Sequence, residues 1–140
     1  MDLDTAFAFV RNWDCGVLLT IGADGRPHAS NINFAATLPT VRISVTADRV
    51  KTANLRRDPR ASLHVTSSDF WTWVVLEGTA SLSPIASEGD RETAEALRQL
   101  YRDIRGEHNN WADYDRAMVQ DQRQVLTIEV TRAYGQLPRD

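Results

Sequence analysis

Short runs of alternating apolar and polar residues, cut by tight-turn signals, limit the fold of this chain more than any other feature. Val41 to Ala47 (VRISVTA) sets Val41, Ile43 and Val45 against Arg42, Ser44 and Thr46, the period of a half-buried strand. Gly16 to Ile21 (GVLLTI) and His28 to Ala36 flank Gly22-Ala-Asp-Gly-Arg-Pro27, and Asp-Gly between two such runs is a hairpin signal. Ala61 to Ser67 and Trp71 to Ser83 read as a fourth and a fifth strand, the latter bent at Gly78 and stopped by Pro84. Gln124 to Tyr134 alternates again and makes a sixth. Strands joined mostly as hairpins give an antiparallel sheet, and six of this length curl into a barrel to hide their edges.

Helical patterns interrupt the strands in four places. Leu3, Phe7 and Val10 share one face of a short N-terminal helix. Asp48 to Arg57 forms another, with Asp48 as N-cap and Pro59 as the stop. Ser87 to Ile104 carries Ala94, Leu97, Leu100, Tyr101 and Ile104 on one side, and Gly106 ends it. Trp111 to Val119 makes the fourth. At 140 residues the chain reads as a single domain.

Charge and cysteine usage narrow the function. No stretch approaches a membrane span. The net charge of −3 argues against nucleic acid. Met1 to Thr5 holds two Asp and no basic residue, unlike a signal peptide. With a single cysteine, Cys15, no internal disulfide is possible, and the setting expected is the cytoplasm. Cys15 itself reads as a small core residue. The acidic chain nevertheless has a basic island: Arg42, Arg49, Lys51, Arg56, Arg57 and Arg60, against Asp48 and Asp58. Such an island suits a small anion rather than a polyanion. Lys51 is the only lysine, beside fifteen arginines, and the two side chains do not substitute for one another at a tight site.

The usual catalytic signatures are missing. The sequence has no dinucleotide-binding glycine motif, no phosphate-binding loop, no nucleophile elbow and no zinc-protease helix. His28, His64 and His108 share no ligand spacing, so no metal is expected. What remains is the segment Thr46-Ala-Asp-Arg-Val-Lys-Thr-Ala-Asn54, which takes a strand into a helix. Helix starts attract anions. Thr46, Arg49, Lys51 and Thr52 are placed to surround a phosphate, with Asn54 close to the same face. The same segment also reads as a solvated helix surface. Trp71 and Trp73, alternating in a strand, share a face and suit either an aromatic ligand or core packing. Asn31 and Asn33 offer amides to a heterocycle edge, or simply to water.

Four stretches together resemble one family: GVLLTIGADGRPHASN, TADRVKTANLRRDPRASL, FWTWVVLEGTASL and VLTIEVTRAYG. They are similar to the pyridoxamine-phosphate-oxidase-like split β-barrel superfamily, and within it to the actinobacterial flavin/deazaflavin oxidoreductases that use coenzyme F420. The run from Lys51 to Ser62 is the most specific part. The resemblance implies a six-stranded antiparallel split barrel and a homodimer with two cofactor sites at the subunit interface. It implies that Arg49, Lys51 and Asn54 hold a cofactor phosphate, that Asn31 and Asn33 line the ring, and that Trp71 and Trp73 wall the pocket. Arg123, just before the last strand, is expected to reach the tail or ring of the cofactor from the partner chain. The activity implied is hydride transfer from a reduced deazaflavin to a small unsaturated acceptor. FMN, with an oxidase or reductase activity, and a non-catalytic flavin-binding role are the alternatives. The chain ends Tyr134-Gly-Gln-Leu-Pro-Arg-Asp140, without the Arg/His motif of true pyridoxine-phosphate oxidases, which favours the deazaflavin branch.

Overall fold

A computed structural model describes residues 1–138. One antiparallel sheet of seven strands organises them, in the order β2-β1-β5-β6-β7-β4-β3. The strands are β1 (Cys15–Ile21), β2 (Pro27–Asn33), β3 (Ala35–Thr37), β4 (Thr40–Thr46), β5 (Arg60–Thr66), β6 (Trp73–Leu82) and β7 (Arg123–Gln136). Four helices interrupt them: α1 (Leu3–Val10), α2 (Val50–Arg57), α3 (Arg91–Arg105) and α4 (Trp111–Gln120). Among the described residues, no helix is long and apolar enough to cross a membrane.

The strand count is seven rather than the six expected. The run from His28 to Ala36 is not one strand: Phe34 is buried between β2, which pairs with β1, and β3, which pairs with β4. The chain therefore changes partners at Phe34. This curls the sheet so that the end strand β2 comes up to β4, leaving a seam between them. Inside the curl lie Leu18, Ile43, Leu63, Val65, Leu76, Leu126 and Ile128, with Phe7 and Val10 of α1 at one end. This is the alternation read from sequence, realised as a barrel interior. The long β6–β7 ribbon carries the closure. It shifts register between Glu77 and Gly78, where a Cβ on Gly78 would lie 2.0 Å from the Glu129 carbonyl oxygen.

On the outer face, α3 and α4 pack over β3, β4 and β7. A second apolar cluster joins Leu97, Leu100 and Tyr114 to Ala35 and Val125. Arg42 of β4 pairs with Asp103 of α3, and Tyr114 donates to the Leu97 carbonyl at 2.8 Å. Burial pushes that phenol up to about 12, so Tyr114 presents a neutral ring. Arg98 and Arg102 both stack on Trp111 and are held by Asp115, Glu95 and Glu107. The helical hairpin is thus fixed against the sheet.

Two local expectations are corrected. Asp48 does not cap α2; Arg49 is the N-cap and makes no side-chain cap bond. Cys15 is exposed rather than in the core. Its thiol donates to Asp14 Oδ1 at 3.3 Å and accepts from Asn33 Nδ2 at 3.2 Å, and the Asp14 bond holds it above the usual thiol range.

Candidate functional site

A cavity of about 650 Å³ opens where the seam meets the helical hairpin. Residues 30–33 of β2 form one side, and Ser44 and Thr46 of β4 form the other. Arg49 and Lys51 enter from the start of α2, and Arg123 from the first position of β7. Leu100, Tyr101 and Ile104 of α3 and Met118 of α4 supply an apolar wall.

The polar corner is built by the β4–β7 ladder. Thr46 and Arg123 are direct partners across it, so both side chains leave the sheet on the same face. Arg123 Nη1 donates to the Ser44 carbonyl at 3.2 Å, which steers its guanidinium along β4. The α2 start is drawn to the same place, because Thr52 Oγ1 donates to the Thr46 carbonyl at 2.7 Å. The leading N–H groups of α2 lack intrahelical partners and no side chain caps them.

Two buried atoms in this corner, Thr46 Oγ1 and Arg123 Nε, have no hydrogen-bond partner among the described residues. Buried polar groups are otherwise nearly always satisfied. Arg49, Lys51 and Arg123 have no carboxylate partner among the described residues, and no Asp or Glu lines the cavity. Burial, then the charges of Arg49 and Arg123, push the Lys51 ammonium below its ordinary range. Three unpaired cations and two orphaned atoms make a corner suited to an oxyanion such as a phosphate.

Of the residues singled out from sequence, Asn31, Asn33, Thr46, Arg49, Lys51 and Arg123 border this cavity. Thr52 and Asn54 do not. Asn54 is 3% exposed, donates to Thr20 Oγ1 at 3.1 Å and accepts from Arg57 Nη2 at 3.0 Å. Helix α2 therefore docks on β1 through a polar face, which the sequence disguised as a ligand face. Trp71 lies before β6, in a bend, 70% exposed and edge-on to Phe70. Phe70 has a positive φ of 77°, so the chain is still turning there and the alternation begins only at Trp73. The two indoles do not share a strand face. Trp73 packs against His64 at 5.6 Å and Tyr134 at 6.0 Å, away from the cationic corner.

Sequence reading missed Arg105, the last residue of α3. It lines the cavity and its Nη2 donates to Asn33 Oδ1 at 3.3 Å. The apolar face of α3 was readable, but not that β4 and β2 would lie beneath it. The backbone of β2 adds a further feature. Phe34 N–H donates to Asp14, and Gly22 N–H to Arg26. This fixes the even-numbered positions of β2 as its hydrogen-bonded pairs with β1. The N–H and C=O groups of Asn31 and Asn33 consequently point outward from the sheet edge. Arg139 and Asp140, the end of the C-terminal stretch read from sequence, lie outside the described residues.

An antiparallel barrel with an open seam, a helical hairpin over it and a cationic corner define the split-barrel class. The profile of the pyridoxamine 5'-phosphate oxidase family matches residues 3–137, and the chain belongs to that family. Similar structures include that of Rv2991, a conserved hypothetical protein of Mycobacterium tuberculosis. It is 25% identical with a TM-score of 0.72, over 96% of this chain and 84% of that one. An F420 reductase is 19% identical with a TM-score of 0.69, over 91% and 94%. A heme-binding protein of Mycobacterium smegmatis is 22% identical with a TM-score of 0.67, over 97% of this chain and 55% of that one.

Proposed function

We propose that this chain is an oxidoreductase that binds coenzyme F420, with its phosphate in the corner formed by Thr46, Arg49, Lys51 and Arg123. The observation that carries the reading is the pair of orphaned buried atoms, Thr46 Oγ1 and Arg123 Nε, among three unpaired cations. The ring lies toward the β2 edge, where the outward N–H and C=O groups of Asn31 and Asn33 meet a heterocycle edge. When bound, the reduced deazaflavin supplies a hydride to a small unsaturated acceptor. The chain's residues bind and orient, which agrees with the absence of nucleophile and metal motifs. FMN presents the same phosphate and is the second reading. The long apolar wall and Arg105, which has no carboxylate partner among the described residues, favour the larger cofactor with its acidic tail.

The working form is a cytoplasmic homodimer. Phe70, Trp71 and Tyr134 are large exposed side chains at one end of the β6–β7 ribbon, beside half-buried Trp73. Exposed aromatic groups clustered in this way mark an interface, and a second copy would cover them. Equilibrium titration with F420 and with FMN tests the reading. Tighter binding of the deazaflavin, lost in Lys51→Ala, is the expected result. Tighter FMN binding selects the alternative, and binding of neither overturns both.

A further inference from the structure

The helical hairpin is held unequally on the two sides of the cavity it covers. Toward β3, β4 and β7 it is anchored by the apolar cluster of Leu97, Leu100 and Tyr114 with Ala35 and Val125, and by the Arg42–Asp103 ion pair. Toward β2, among the described residues, a single hydrogen bond joins it: Arg105 Nη2 donates to Asn33 Oδ1 at 3.3 Å. Both residues line the cavity, so the bond bridges the gap between α3 and the strand edge. It is exposed to solvent, which puts it at the mouth.

The two partners differ in how firmly they are held. Asn33 is fixed. It pairs with Cys15 in the β1–β2 ladder, and its Nδ2 donates to the Asp14 carbonyl at 3.1 Å and to Cys15 Sγ at 3.2 Å. With Nδ2 committed to the β1 side, Oδ1 is the atom left for α3. Arg105 is loosely held. It is the last residue of α3, ahead of Gly106 with its φ of 88°. Its side chain is exposed, and among the described residues it makes no ion pair and no hydrogen bond besides the one to Asn33. A bond of this length is weak, and an exposed one is readily exchanged for bonds to water.

We propose that Arg105 and Asn33 form a latch on the mouth of this cavity, closed by their hydrogen bond and opened when the Arg105 side chain swings into water, and that the latch sets how fast an anionic aromatic ligand enters and leaves. The bond is made both before and after a ligand is seated. It therefore slows entry and release alike and leaves the equilibrium affinity nearly unchanged. The hairpin itself stays in place, since its apolar anchors lie on the far side of the cavity. The inference does not depend on which cofactor the corner takes. Any ligand with an oxyanion at Arg49, Lys51 and Arg123 and rings along Leu100 and Ile104 passes the same mouth.

The test uses anilinonaphthalene sulfonate, whose sulfonate suits the cationic corner and whose rings suit the apolar wall, and which fluoresces when shielded from water. Stopped-flow mixing with the intact protein gives its association and release rates. The expected signal is displaced by inorganic phosphate. Asn33→Ala keeps every cation and should raise both rates together, about threefold each, the worth of one weak hydrogen bond. Arg105→Met, at an exposed helix end where folding is not at stake, should do the same in salt that screens the lost charge. The double variant should go no further than either single one, because the two changes remove one contact. Asn33→Asp turns the bond into an ion pair and should slow release, although a negative charge in an anion cavity would by itself hasten it. Unchanged rates in Asn33→Ala, a change in release alone, or the absence of a phosphate-displaceable signal overturns the inference. The two readings fail separately. Absence of F420 and FMN binding with the expected dye kinetics defeats only the cofactor assignment. Normal cofactor binding with dye rates indifferent to Asn33→Ala and Arg105→Met defeats only the latch.

Discussion

Arg123 stands directly opposite Thr46 in the β4–β7 ladder, and each has a buried polar atom, Nε and Oγ1, with no partner. The cost of those atoms gives the first prediction. Thr46→Val removes the orphaned hydroxyl with little change of shape. The empty protein should melt at the same temperature or higher, because an unsatisfied buried group costs about 1–3 kcal/mol. Affinity for F420 or FMN should fall by roughly tenfold or more, as a bond to a charged oxygen contributes about 1.5–3 kcal/mol. Paired melting curves and cofactor titrations measure both. A lower melting temperature with unchanged affinity would assign Thr46 to packing alone.

Lys51 should show the same opposition with a pH signature. Burial and its cationic neighbours lower its folded-state pKa. Between that lowered value and the ordinary one, the unfolded chain binds more protons than the folded protein, so stability of the empty protein rises with pH through that interval. Lys51→Met removes this slope, should not lower the melting temperature at neutral pH, and weakens cofactor binding about ten- to a hundred-fold. Urea unfolding across alkaline pH, with and without cofactor, checks the sign.

Asn54 should behave in the opposite way. Asn54→Ala leaves Thr20 Oγ1 and Arg57 without their buried partner, at a cost of about 1–3 kcal/mol. That is a fall in melting temperature of about 4 °C for each kcal/mol in a domain of this size. Cofactor affinity should hold, since the side chain faces β1 and not the cavity. A large loss of affinity with normal stability would return Asn54 to the binding site.

The aromatic end of the β6–β7 ribbon is testable by sedimentation. The double variant Trp71→Glu, Tyr134→Glu places two charges on the proposed contact surface, and both positions are exposed in the single chain, at 70% and 43%. The expected outcome is a folded monomer. A variant that sediments as a dimer would exclude this surface.

Gly78→Ala should be among the most damaging changes in the chain. The added Cβ would fall on the Glu129 backbone, which cannot rotate away as a flexible side chain does. The ribbon must reopen at its register shift, and misfolding or a loss beyond 3 kcal/mol is expected, the tail reached by strained or overpacked sites. Circular dichroism melting decides it.

These variants also mark how far the sequence could be read. Alternation in Val41 to Ala47 correctly set Ile43 inward and Thr46 outward, because strand period is a local property. The approach of β2 to β4, and of α3 and α4 to both, depends on contacts between distant segments. Arg105 and Tyr101 therefore could not be assigned to the cavity in advance. Asn54 misled for another reason. A short helix with few large apolar residues docks through hydrogen bonds, and a buried amide looks in sequence like a ligand-binding one. Trp71 misled because the turn persisted two residues longer than its neighbours suggested, so that the strand begins at Trp73.

The pairing of Thr46 with Arg123 also orders events during synthesis. The anion corner draws on the first position of β7, so a nascent chain lacks it until Arg123 has left the ribosome. Cofactor therefore cannot template the early hairpins. It can only lock a barrel whose final strand has already docked, and its presence should protect that strand's amides from solvent exchange before those of β1 and β2.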